Sequence, residues 1–452
     1  MLAFLRDNTD NQIKLLPFKP EIAGFHMRTY RIIIFIALVI PALRSQAEDS
    51  TLLFKTLHDR IYQIQTIELN SGSKSSLGSA FQINADGLLV TNFHVVASYV
   101  LQPEKYRIEY IDSEGKTGSL DVRDIDVVND LALVKHHDKN GHFLELADKP
   151  VEQGEQVYSM GNPLDLGMTV VPGTYNGLTA HSYYDRILFS GSINPGMSGG
   201  PALNANGKVI GVNVATAGNQ ISFFVPLSKL REMLDKYNGE GYSPKELRAR
   251  LHAQLVTNQR KYIETLLNAK WPASKLGDAT VIGEMTPFTR CWGGSTATRE
   301  NRLRYNIATS NCMNNEFIFL SDRFTTGGLQ YEFSWLDTSK LNPFQFYRAY
   351  QQHIQGAAPI NSARKQDVTN FECHEDFVRD SPKAVQMTKS ILCVRAYKKI
   401  TDLYDFLYVG ATVNDNHKGL ISHFTISGIE KDLGLQFTKK FIEHTRWTSS
   451  SK

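Results

Sequence analysis

The chain has 452 residues, enough for two or three domains, and its 42% apolar and 10% aromatic content is ordinary for a folded globular protein. Its 49 basic residues nearly balance 46 acidic ones, and because the first 47 residues hold six and three of these, the remainder carries 43 of each sign. A body without net charge excludes a broad electrostatic footprint for nucleic acid or an anionic membrane, and no long low-complexity tract argues for disorder.

Residues 1–47 read as a leader. Arg28 and Arg31 precede an unbroken apolar run over residues 32–40, too short for a comfortable membrane span, and Ser45-Gln46-Ala47 supplies the small residues of a cleavage site. The pattern predicts a secretory signal that starts at Met27 and is cleaved after Ala47, with residues 1–26 an artefact of an early start codon. An uncleaved anchor is the competing reading. Either way the body is exported, to a bacterial periplasm or the medium, and cleavage leaves no stable membrane span.

The run Gly87-Leu88-Leu89-Val90 predicts a strand that ends at an exposed turn, Thr91-Asn92-Phe93-His94-Val95-Val96, which makes His94 a candidate general base. Farther on, Asn129-Asp130 stands directly before the apolar run Leu131-Ala132-Leu133-Val134, so that Asp130 is placed to orient an imidazole and stabilise its protonated form. Gly196-Met197-Ser198-Gly199-Gly200-Pro201 then offers a serine between glycines. A serine hydroxyl attacks a carbonyl only with a base and oxyanion donors beside it. Glycines let the backbone turn tightly, expose Ser198 and aim the N–H groups of Gly196 and Ser198 at one point. Each segment alone has an ordinary explanation: a structural histidine, a turn aspartate, a glycine-rich turn. Their order and flanks together point to a nucleophile, base and orienter.

Residues 226–235 read as a helix closing this region. Ser243-Pro244 then carries a helix-start signature, and Leu247, Leu251, Leu255, Tyr262, Leu266 and Leu267 follow at helical spacing, predicting an amphipathic connector. All four cysteines lie beyond it. In an exported chain they favour disulfides, paired locally as Cys291 with Cys312 and Cys373 with Cys393. Zinc is the weaker rival, since there is no short CxxC pair and only His374 is near. No cofactor or metal is expected. Two strand–helix stretches, residues 329–335 with 343–355 and residues 420–426 with 434–444, each follow a cysteine pair, and Phe333, Phe346 and His353 fall opposite Phe424, Phe437 and His444. An internal duplication of two α+β units is the expectation.

Taken in order, the residues resemble the trypsin-fold serine proteases, most closely the HtrA (Deg) branch. The likeness is carried by Gly78-Ser79-Ala80-Phe81, the segments around His94, Asp130 and Ser198, Met160-Gly161-Asn162-Pro163, Val209-Ile210-Gly211-Val212-Asn213 and Ile221-Ser222-Phe223-Phe224-Val225-Pro226. It covers roughly residues 75–230 and implies two packed six-stranded antiparallel barrels with the site in the cleft between them. It also implies His94 as base, Asp130 as orienter, Ser198 as nucleophile and the Gly196 and Ser198 amides as oxyanion hole. Ser192 would floor the primary specificity pocket and Asn213, Val214 and Ala215 would wall it. With no carboxylate there, a buried substrate cation is disfavoured and a small or medium apolar side chain is expected. Met197 departs from the small or polar residue usual beside the nucleophile. A PDZ domain, expected in that branch, is not found: Leu433-Gly434-Leu435-Gln436-Phe437 faintly resembles its carboxylate loop but sits at the wrong end of its unit.

The expected organisation is therefore a mainly β, trypsin-like protease domain over 48–238, a helical connector over 239–275 and an α+β C-terminal domain over 276–452. The expected function is an exported serine endopeptidase acting on unfolded or extended polypeptides, with oligomers implied by the resemblance only. A silent binding protein and an esterase or acyl transferase are the alternatives.

Overall fold

The structure is a computed structural model that describes residues 49–138, 141–296, 304–314, 316–354, 357–379 and 386–447. The signal segment, Met27 and the cleavage site after Ala47 lie outside the described residues. Residues Leu52–Lys452 form one compact unit.

Strands β1 (Ile61–Glu68), β2 (Lys74–Gln82), β3 (Leu88–Thr91), β4 (Tyr106–Ile111), β5 (Thr117–Ser119), β6 (Asp121–Asp126) and β7 (Leu131–Lys135) form one antiparallel sheet in the order β5-β4-β1-β2-β3-β7-β6. The helix α1 (Phe93–Leu101) follows β3 and plugs the sheet with Phe93, Val95, Val96 and Val100. Six strands were expected here. The seventh is a bend: β5 and β6 are halves of one strand interrupted at Leu120, whose N–H still bonds to Ile108 O at 3.0 Å. One half pairs with β4 and the other with β7, so the bent strand closes the barrel.

The second barrel is closed and six-stranded. It comprises β8 (Gln156–Gly161), β9 (Thr169–Leu178), β10 (Ile187–Phe189), β11 (Pro201–Leu203), β12 (Val209–Gly218) and β13 (Ile221–Pro226), in the order β10-β13-β12-β11-β8-β9. Helix α2 (Leu227–Lys236) caps it with Leu230 and Met233. Phe81, Val90, Leu131 and Leu133 of the first barrel share one apolar cluster with Tyr158, Met160, Val212 and Val225 of the second. Burial of that seam fixes the cleft geometry, because sliding one barrel past the other would expose it.

Helix α3 (Pro244–Asn268) starts where its capping box predicts: Ser243 Oγ accepts from Glu246 N–H and the Glu246 carboxylate accepts from Ser243 N–H. Leu247, Leu251 and Leu255 pack into the core of the first barrel, whereas Tyr262, Ile263 and Leu266 enter the C-terminal core. One 25-residue helix, about 37 Å long, thus serves both cores.

In the C-terminal region β14 (Ala273–Leu276), β15 (Ala279–Ile282) and β25 (Arg446–Trp447) make a small sheet beside a large antiparallel one. The large sheet uses β16 (Arg290–Ser295), β17 (Asn306–Met313), β20 (Leu329–Asp337), β21 (Glu372–Val378), β22 (Met387–Ala396), β23 (Tyr404–Val413) and β24 (Lys418–Ile429), in the order β16-β17-β20-β24-β23-β22-β21. A hairpin of β18 (Ile318–Ser321) and β19 (Phe324–Thr326) projects from it. Disulfides Cys291–Cys312 and Cys373–Cys393 join directly paired residues and staple each edge strand to its neighbour. With their sulfurs so bonded, no thiolate remains for zinc.

The two strand–helix stretches do meet, since β20 and β24 are antiparallel neighbours at the sheet centre. Their helices part company. Helix α4 (Pro343–Ile354) packs Phe346 and Tyr350 against Leu336, Ala411 and Ile421, while α5 (Lys431–His444) packs Phe437 and Phe441 against Phe333, Tyr408 and Phe424 on the opposite face. A two-fold axis relating antiparallel neighbours keeps both helices on one face, so no such axis relates these units. The stretch from Leu433 to Phe437 is part of α5, not a binding loop.

Candidate active site

His94 sits in the first turn of α1 because β3 ends sharply. Thr91 Oγ1 donates to Ser79 O at 2.8 Å, and Asn92, extended at the helix N-cap, donates through its side-chain amide to Asp130 O at 2.7 Å. Asp130 adopts a left-handed φ of 61°, a conformation aspartate tolerates better than most side chains. That twist turns its carboxylate onto the helix: Oδ1 accepts from His94 N–H at 2.8 Å and Oδ2 lies 2.7 Å from His94 Nδ1. An Asp held on Nδ1 keeps the proton there and leaves Nε2 as the basic nitrogen. Burial alone would lower the pKa of His94, but the Asp130 charge and hydrogen bond outweigh it and raise the pKa above the ordinary value of 6.5. Asp322, in the turn between β18 and β19, pushes in the same direction.

Ser198 lies on a loop clamped from both barrels. Ser79 of β2 donates its N–H to Ser198 O at 2.8 Å and its hydroxyl to Gly196 O at 2.7 Å, and its Oγ accepts from Asn162 N–H at 3.0 Å. From the other side Asn213 donates to Met160 O at 2.9 Å and Met197 O at 3.1 Å. Gly196 has a φ of 96°, and a Cβ there would stand 2.4 Å from Asn162 O, so no other residue fits. A Cβ on Gly199 would strike Thr91 Oγ1 at 2.3 Å, which shows how tightly the loop abuts the strand end before His94. The unusual Met197 is fully buried among Val157, Phe189 and Phe224 and anchors the loop in the second barrel.

Among the described residues the Gly196 and Ser198 N–H groups donate no hydrogen bond, which leaves both for an oxyanion. Both hydrogen bonds of His94 run to Asp130, and the Ser198 hydroxyl makes none to the imidazole. Such bonds are commonly loose without substrate and tighten when it binds.

A cavity of about 690 Å³ opens beside His94 and Asp130, walled by Val214, Ala215 and Phe223. Asn213, expected in that wall, is instead fully buried and spends its amide on the Ser198 loop. Ser192 is exposed and outside the lining. Sequence reasoning missed the roof entirely, which Phe317, Ile318 and Phe319 contribute from the C-terminal region. A second tie crosses there: the Glu316 carboxylate accepts from the Ser182 hydroxyl and from the N–H groups of Tyr183, at 2.9 Å, and Tyr184. No local signal marks Glu316 or Phe319, because their roles depend on distant partners. Among the described residues no group of three or more His, Cys, Asp or Glu side chains is arranged to hold a metal.

Two packed barrels, a His–Asp pair and a glycine-cradled serine across the cleft define the class: residues 78–212 match the trypsin-like peptidase domain. The same region is similar to HtrA and DegP-like serine proteases. The chain is 34% identical to serine protease HTRA1 of Xenopus laevis over 185 residues, which are 37% of this chain and 39% of that protein. It is 32% identical over 175 residues to a probable periplasmic serine endoprotease, DegP-like, of Chlamydia muridarum, covering 36% of this chain and 34% of that one. The chain thus spans between about a third and two fifths of the length of these relatives. Among solved structures, the serine endoprotease from Yersinia pestis aligns over 42% of this chain and 68% of its own, with 22% identity and a TM-score of 0.38.

Proposed function

We propose that this chain is a serine endopeptidase that opens peptide bonds of extended or unfolded polypeptides through an acyl-enzyme. The observation that carries the reading is the bonded His94–Asp130 pair facing a serine loop whose two amides are unengaged. In that arrangement His94 Nε2 takes the Ser198 proton as Oγ attacks the carbonyl, while Asp130 holds the tautomer and offsets the imidazolium charge. The Gly196 and Ser198 amides receive the oxyanion, worth about 3 kcal/mol per donor. His94 then protonates the departing amine, and water repeats the sequence on the ester. Strand β12 pairs with β13 out to Gly218 but with β11 only as far as Val212, so its outer half offers an open edge to an extended peptide. Apolar Val214, Ala215 and Phe223 in the cavity wall support a small or medium apolar side chain before the scissile bond.

Export is part of the reading. All four cysteines are oxidised, one similar protein is described as periplasmic, and the N-terminal pattern is that of a secretory signal. No described helix is long and apolar enough to cross a membrane. A catalytically silent binding protein is the second reading, favoured by the missing bond between Ser198 and His94. A fluorophosphonate probe separates the two. The endopeptidase reading expects labelling and casein cleavage, both lost in Ser198→Ala; an unlabelled wild-type chain overturns it. Cleavage of small esters but not casein would shift the assignment to an esterase.

A further inference from the structure

Arg186 lines the roofed cavity with no counterion. It stands at the base of the loop between β9 and β10, where its carbonyl accepts from Thr179 N–H at 2.8 Å. Its guanidinium donates only to the carbonyl of its neighbour Asp185, at 2.9 Å, and lies 6.0 Å from the centre of the Tyr184 ring. Among the described residues no carboxylate comes within ion-pair distance of it. The nearby carboxylates are engaged: Asp130 by His94, and Glu316 by Ser182, Tyr183 and Tyr184. The other basic side chains on that side of the cavity are engaged too, Arg290 by Glu284 at 3.4 Å and the His181 ring by Pro287 O at 3.1 Å.

The surroundings make that isolation costly. Val214, Ala215, Phe223, Phe317 and Phe319 present apolar surface to the same space, so the half-buried guanidinium gives up part of its hydration there with no directly bonded anion in return. Burial does pull the Arg186 pKa down, while Asp130 and Glu316 act against the shift. Guanidinium is also the side chain best shaped to take a carboxylate through two parallel N–H bonds. The open edge of β12 borders the same cavity, so a peptide strand added along it carries its side chains past Arg186.

We propose that the roofed cleft recognises extended acidic peptides, with Arg186 holding a carboxylate upstream of the scissile bond. This inference rests on the endopeptidase reading for its substrate class but not for its test. A small apolar side chain still precedes the cut; the acidic group sits farther up the chain.

The test uses full-length Ser198→Ala protein, which binds without cleaving, and two fluorescein-labelled Ala/Val-rich nonapeptides that differ only by Glu or Gln at one position. Fluorescence anisotropy should show the Glu peptide bound at least tenfold more tightly, with the difference shrinking as salt rises. The preference should fall to near one in Ser198→Ala/Arg186→Gln and survive in part in Ser198→Ala/Arg186→Lys. Equal binding of the two peptides by the parent protein overturns the proposal without any variant having to fold, and so does an undiminished preference in the folded Arg186→Gln protein. A chain that prefers the Glu peptide but resists fluorophosphonate keeps this site and loses the catalytic reading. Labelling without acidic preference does the reverse.

Discussion

The His94 imidazole and the Phe319 ring meet edge to face with centroids 5.7 Å apart. One belongs to the first barrel and the other to the hairpin of the C-terminal region. The environment of the His94 imidazole is therefore completed by a segment outside the two barrels, and its titration reports on both.

That coupling predicts a pH profile. Because Asp130 and Asp322 raise the His94 pKa, the acid limb of kcat/KM should have its midpoint above 6.5. Asp322→Asn removes one of the raising charges and should move the midpoint down. The sign for stability is opposite in sense: a raised folded pKa favours the protonated fold, so this contribution is full below about pH 6.5 and is lost as pH rises through the folded value. An acid limb that Asp322→Asn leaves in place, followed by kinetics and by the imidazole NMR signal, would remove the hairpin from the electrostatics of the site.

Asp130→Asn tests the tautomer argument. Asparagine presents an N–H where Oδ2 accepted the Nδ1 proton, which drives that proton to Nε2 and leaves the serine without a base. By analogy with other triads turnover should fall about 10⁴-fold. A loss under tenfold in casein cleavage would mean that Asp130 does no more than hold the start of α1 through the His94 N–H.

Ser79 is fully buried, and it makes three bonds that set the serine loop. Ser79→Ala strands Gly196 O and Asn162 N–H in a fully buried place, at a cost of about 1–3 kcal/mol for each unsatisfied group. The expected signature is a fall in kcat larger than the rise in KM, because the oxyanion donors drift while the cleft walls stay. Ser79→Thr, which restores the hydroxyl, should recover part of kcat. A drop in melting temperature with kcat intact would reduce Ser79 to a packing role.

Short motifs made much of this legible. Gly196 and Gly199 advertise backbone that only glycine adopts, the Ser243 box announces the start of α3, and Asp130 precedes a buried strand; each is a local constraint written in neighbouring residues. What the sequence withheld is long-range. Asn213 looks like a wall residue until its buried amide is seen feeding Met160 O and Met197 O. The strand bend at Leu120 arises because one strand must pair with both β4 and β7. The opposite faces chosen by α4 and α5, and the approach of Phe319 to His94, follow from tertiary packing that periodicity does not encode.

Helix α3 supplies the last prediction, because it is where the two halves depend on one another. Leu247, Leu251 and Leu255 sit in one cluster with Val122, Ile125 and Val134 of the first barrel, and Leu251 is 2% exposed. Leu251→Ala removes three buried carbons and should cost about 2–5 kcal/mol. A chain ending at residue 238 loses the whole stripe and leaves that barrel face open to water, so it should melt well below the full-length protein and bind a hydrophobic dye even though both barrels and His94, Asp130 and Ser198 are present. If instead the truncated chain melts with the intact one by differential scanning calorimetry, the helix merely rests on the barrel, and the C-terminal region is joined to it by tether rather than by core.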